Sequence, residues 1–153
     1  MLEGPQRGDG SGLVLLAVGE VQERPGQCLP WVVVDVDGVE HELISAYLRD
    51  LIASDCSPLS CRSYAFDLLH FQRYLATVGV EWERTTRAEV WDYVLWLKSA
   101  LNPSRARKSG SPLAGSLNSV TGKSYLAAGY APRTVNHRLL VIRGFFEGYS
   151  RSR

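Results

Sequence analysis

The stretch from Ser57 to Gly79 constrains the fold more than any other part of the chain. Ser57-Pro58 is a strong helix opening, a capping hydroxyl followed by proline at the first helical position, and Gly79 is a natural stop. Between them Cys61, Tyr64, Leu68, Phe71, Leu75 and Val78 recur at helical spacing and predict a core-facing stripe. Arg62, Phe66, Leu69 and Arg73 cluster on nearly the opposite side. A helix with two such stripes either packs on two neighbours or presents one of them to a partner.

Three further helices follow from the same reasoning. Leu43, Tyr47, Leu48, Leu51 and Ile52 predict one over residues 42–54. Thr86-Arg87-Ala88-Glu89 has the capping-box pattern and opens another, roughly 87–100, with Val90, Val94 and Leu97 as its buried line. Trp91, Tyr93, Leu95 and Trp96 make that helix apolar almost all round, which predicts a central position. The last helix opens at Pro132 and runs to about Tyr149, with Val135, Leu139, Ile142, Phe146 and Tyr149 on one stripe. Its other side carries Arg133, His137 and Gly144, flanked by Asn136 and Arg143 and by Thr134 and Arg138, with Leu140 as a misfit.

The rest of the chain is softer. Residues 1–12 are rich in Gly and polar side chains and read as frayed or disordered. Leu13–Val18 and Trp31–Val36 are β-prone, and Asp37-Gly38 is a hairpin-type turn signal. A lone pair of strands is marginal in water, so residues 1–39 read as a small ribbon or an arm. The segment from Asn102 to Ala131 carries Arg105, Arg107, Lys108 and Lys123 among scattered glycines and prolines. A break of that length inside a domain is functional or disordered.

Composition narrows the function classes. With 45% hydrophobic and 22% charged residues among 153, the chain is not disordered as a whole and needs no staple. Its longest aliphatic run, Leu13–Val18, is far short of the ~20 residues of a membrane span. Arg7 alone precedes that run, which argues against a secretory signal. Cys28, Cys56 and Cys61 have no repeated spacing and form no disulfide framework. The expectation is a soluble cytoplasmic protein with no cofactor, no membrane partner and no small-molecule substrate.

Enzymatic motifs are weak. Thr121-Gly122-Lys123-Ser124 ends like a phosphate loop but lacks the upstream glycine and a leading strand. Cys56, Cys61, His41 and His70 fit no zinc pattern, and a Cys–His nucleophile pair has no local support. Charge is more telling. Residues 1–57 hold three arginines against ten acids, a balance of −7, and residues 58–153 hold fourteen bases against six acids, +8. From Lys98 onward ten bases face one acid, Glu147. That footprint points to a polyanion, or else to the acidic front of the same chain. Arginine pairs well with guanine, asparagine with adenine, and both with phosphates or base edges in a groove that admits a helix. Candidate DNA contacts are therefore Arg62, Ser63, Arg73, Arg105, Arg107, Lys108, Lys123, Arg133, Thr134, Asn136, His137, Arg138 and Arg143.

Two phrases carry a resemblance. Ser57-Pro58-Leu59-Ser60-Cys61-Arg62-Ser63-Tyr64-Ala65-Phe66-Asp67-Leu68, continuing to Phe71-Gln72-Arg73-Tyr74-Leu75, resembles the second-helix motif of the tyrosine recombinases, or phage-type integrases. Gly129-Tyr130-Ala131-Pro132-Arg133-Thr134-Val135-Asn136-His137-Arg138-Leu139, then Ile142-Arg143-Gly144-Phe145-Phe146, resembles their closing helix. The resemblance covers about residues 40–150. It implies the core-binding domain of such a recombinase: an all-α, four-helix, SAM-like orthogonal bundle, here with a short β-prone or disordered N-terminal extension. It further implies a partner in double-stranded DNA and in other recombinase protomers, nucleoid association when DNA-bound, and no catalysis by this chain. The tyrosine nucleophile and its Arg/Lys/His/Arg set belong to a downstream domain, and residues 151–153 would begin the linker to it. The long basic segment is read as an added DNA-tracking loop. A helical protein-interaction module and a non-functional integrase remnant are the competing readings.

Overall fold

The computed structural model describes residues 13–100 and 129–151. In chain order it holds β1 (Glu20–Glu23), β2 (Trp31–Val34), α1 (Glu42–Ala53), α2 (Pro58–Val78), α3 (Arg87–Ser99) and α4 (Pro132–Arg151). The expected caps are in place. Ser57 Oγ accepts from the Ser60 amide at 3.1 Å, and Gly79 closes α2 in the left-handed conformation. Thr86 and Glu89 complete a capping box at the head of α3. His41 caps α1, its Nδ1 accepting from the Ile44 amide.

The all-α expectation needs correction. β1 and β2 pair antiparallel with Glu20 opposite Val34 and Glu23 opposite Trp31. Val32, Val33 and Val34 are all buried, so the hairpin is part of the core. The strand expected at Leu13–Val18 lies instead at Glu20–Glu23. Leu13 and Leu15 pack toward the core, and the Leu16 amide donates to Thr77 Oγ1 at 2.9 Å, which lays that segment along α2 and away from β2. The second stripe of α2 is partly covered in the same way: Leu69 is buried in the cluster that contains the hairpin valines.

Two hydrophobic clusters make the core. One joins the hairpin, α1, the first half of α2 and Val141 and Phe145 of α4. The other joins the second half of α2, α3 and Val135 and Ile142 of α4. Trp82, in a 3-10 turn between α2 and α3, packs against both, with ring centroids 4.9 Å from Phe145 and 5.5 Å from Phe71. The expectation that α3 is central is also corrected. Tyr93, Trp96 and Leu97 are buried, but Trp91 and Leu95 face solvent, so α3 is a flank with an apolar outer edge.

Two close approaches fix the helix and hairpin positions. A Cβ on Gly144 would lie 2.7 Å from Tyr47 Oη, where α1 meets α4. Burial pushes the Tyr47 phenol up to about 12. A Cβ on Gly19, whose φ is +71°, would lie 2.6 Å from the Val34 carbonyl oxygen. Gly26 has a similar φ of +75° but open space around it. Gly19→Ala therefore combines a backbone clash with the left-handed penalty of about 1–2 kcal/mol, whereas Gly26→Ala carries the penalty alone. Urea unfolding should show Gly19→Ala to be the more destabilised of the two.

Candidate nucleic-acid interface

The exposed face of α4 carries Arg133, Asn136, His137, Leu140 and Arg143, with Glu147 further along. α2 adds Leu59, Arg62, Ser63 and Phe66 on its own outer face. The Arg62 guanidinium lies 5.0 Å from the Phe66 ring and 5.3 Å from the Trp31 ring, so aromatic planes from α2 and β2 hold it in place. Among the described residues no ion pair joins Arg133 or Arg143 to the acidic front half.

A polar seam locks these two faces together. Asp67, the single acid of α2, is only 13% exposed and meets two bases of α4. Its Oδ2 is 2.8 Å from His137 Nδ1, and its Oδ1 is 3.5 Å from Arg138 Nε. Burial pushes the Asp67 carboxyl up, against the opposing pull of Arg138 and His137. The Arg138 side chain, 14% exposed, lies over the Tyr130 ring at 4.6 Å. His70 continues the seam inward, with Nδ1 2.7 Å from the Tyr93 hydroxyl and Nε2 3.2 Å from the Tyr130 hydroxyl. Burial, with Arg138 and Arg73 nearby, pushes His70 down to about 3, and burial raises the Tyr93 phenol. One neutral imidazole thus bridges α3 to the residues that lead into α4.

The structure sorts the expected contacts. Arg62, Ser63, Arg133, Asn136, His137 and Arg143 are exposed, on α2 and α4, and Thr134 is half-buried on α4. Two of the expected contacts are engaged within the fold. Arg73 donates from Nε to the Val18 carbonyl at 3.0 Å and from an η nitrogen to the Gly19 carbonyl at 2.7 Å, so it secures the segment before β1. Arg138 turns inward to Asp67 and Tyr130, with 14% of its side chain exposed. The basic residues Arg105, Arg107, Lys108 and Lys123, most of the 102–131 segment, residues 1–12 and residues 152–153 lie outside the described residues. Asp67, His70, Tyr93 and Tyr130 were absent from the sequence-derived set. The available signal was Asp67 itself, an isolated acid in a helix of 21 residues.

The seam makes stability depend on pH. His70 binds its proton less readily when folded than the usual 6.5, so the unfolded chain is protonated first. Its contribution is complete above about pH 6.5 and is lost as the pH falls toward about 3, by up to about 1.4 kcal/mol per unit. Urea midpoints should drop between about pH 7 and pH 5, and His70→Gln should flatten that drop.

Among the described residues no helix is long and apolar enough to cross a membrane, and no cluster of His, Cys, Asp or Glu could hold a metal ion. Residues 44–110, from α1 through α3 and onward, match the family model for the phage integrase N-terminal SAM-like domain. No curated protein and no solved structure matches the chain. The matched stretch contains the Ser57-to-Gly79 helix, the capping box of α3 and the acid that anchors α4. Over those 67 of 153 residues the chain is similar to the phage integrase N-terminal SAM-like domain.

Proposed function

We propose that the joined outer faces of α2 and α4 bind duplex DNA at a recombination site. In this reading the domain grips the DNA, and strand-exchange chemistry belongs to a catalytic domain outside these residues. The observation that carries it is the exposed row Arg133, Asn136 and Arg143 on α4, with Arg62 and Ser63 exposed on α2 and Asp67 tying the two helices. Arginines on this row neutralise phosphates, Asn136 can read adenine through paired hydrogen bonds, and a helix of 20 residues spans roughly 30 Å along a groove. The basic segment 102–131 adds sequence-independent contacts to phosphates in the same reading.

Duplex retention against salt tests it. With about five phosphates neutralised, the log–log slope should be near −4.5, and each of Arg133→Ala and Arg143→Ala should reduce it by about 0.9. Asn136→Ala should change preference among sequences while leaving the slope alone. Unchanged affinity in the Arg133→Ala/Arg143→Ala double variant would end the assignment.

A second reading has one observation behind it. Trp91 and Leu95 of α3 and Leu140 of α4 are exposed along an open groove that Val94 and Leu139 also line. An apolar edge of this kind suits a protein partner. A defined oligomer by light scattering that Leu95→Glu disperses, with no duplex retention, would favour that reading.

A further inference from the structure

We infer that Asp67 is a positioning residue that turns His137 into a proton-linked contact for DNA, with Nδ1 held inward and Nε2 left for a phosphate. The inference rests on the reading above, that the α2–α4 face binds a duplex. His137 stands where the seam reaches the surface: its side chain is 43% exposed, against 13% for Asp67. The Nδ1 to Oδ2 distance is 2.8 Å, and the Tyr64 ring lies 5.7 Å away at a 32° tilt, which braces the imidazole from α2.

The chemistry follows from donor and acceptor counts. An ionised carboxylate only accepts, so the ring nitrogen facing it carries the hydrogen. In the neutral imidazole this leaves Nε2 with a lone pair. Phosphate oxygens also only accept, so a bond between Nε2 and DNA requires a proton on Nε2. Where the ring is neutral before binding, that proton comes from solvent, one per bound phosphate, and leaves an imidazolium between two anions. A base amino group would instead donate to the bare lone pair with no uptake. The other groups around this position are fixed in charge or in place. Arg138 shares Asp67, Arg133 lies one turn earlier on α4, Tyr64 packs from α2, and Tyr93 of α3 reaches the seam beside Arg138. His70 and His41 are both held below the ordinary histidine range, chiefly by burial.

Two measurements on the full chain decide it. Fluorescence anisotropy with a short mixed-sequence duplex, at fixed salt between about pH 6 and 8, should show affinity falling as the pH rises, by up to about tenfold per unit. His137→Gln, which can donate from the Nε2 position without a proton, should bind with a flat profile. Nitrogen-15 NMR of the free chain should find neutral His137 with its hydrogen on Nδ1, and Asp67→Asn should erase that preference. A wild-type profile that is flat while the duplex is retained would overturn the inference alone. So would a His137→Gln profile as steep as wild type, an Nε2–H tautomer in the free chain, or an unchanged tautomer in Asp67→Asn. Loss of duplex retention at every pH would overturn the parent reading together with it.

Discussion

Asp67 and its two partners on α4 determine how α2 and α4 sit against each other. Surface ion pairs such as Arg84 with Glu81 contribute at most about 1 kcal/mol, because water competes for both charges. Asp67 and Arg138 are mostly shielded, and stranding either charge in such a place costs on the order of 3–5 kcal/mol. The register of α4 on α2 is therefore set by electrostatics as well as by packing. His70, Tyr93 and Tyr130 extend that control to α3 and to the lead-in of α4. The outward stripe of α4 inherits its direction from this inner seam.

Apolar packing supplies the complementary constraint. Trp82 packs against both clusters, to each of which α2 and α4 also contribute. Its contacts with Phe71, Phe145 and Phe146 make the short turn after α2 part of the interior, although three residues of 3-10 helix are an unimpressive element alone. The hairpin is held from the other direction. Arg73 secures the carbonyls before β1, the His41 amide donates to the Val33 carbonyl, and Gly19 permits the approach to Val34. An arginine placed on a nominally polar stripe thus helps fasten a sheet to a helix.

What could be read from the sequence was what depends on neighbours along the chain. All four helices, both capping hydroxyls and the closing Gly79 are local signals, and each lies where the spacing placed it. The hairpin was harder, since strand pairing joins residues eight to fourteen positions apart and Leu13–Val18 is as apolar as a strand. Side chains posed the greatest difficulty. Arg73, Arg138 and Arg143 are chemically alike in the sequence, and only the fold separates two inward-turned guanidiniums from one in solvent. The outer edge of α3 was misread for the same reason, because a helix apolar all round does not say which side lacks a neighbour.

The row formed by Arg138, Tyr93, His70 and Tyr130 has a direction. A guanidinium gives hydrogens and takes none, so beside the Tyr93 oxygen it favours the phenol releasing its own hydrogen toward His70 Nδ1. An uncharged ring that accepts there must give from Nε2, and Tyr130 is what it meets. With that tautomer the interior polar row runs one way, from Arg138 on α4 through Tyr93 on α3 and His70 on α2 to Tyr130. Reversing it would require all three hydroxyl and ring hydrogens to change places together.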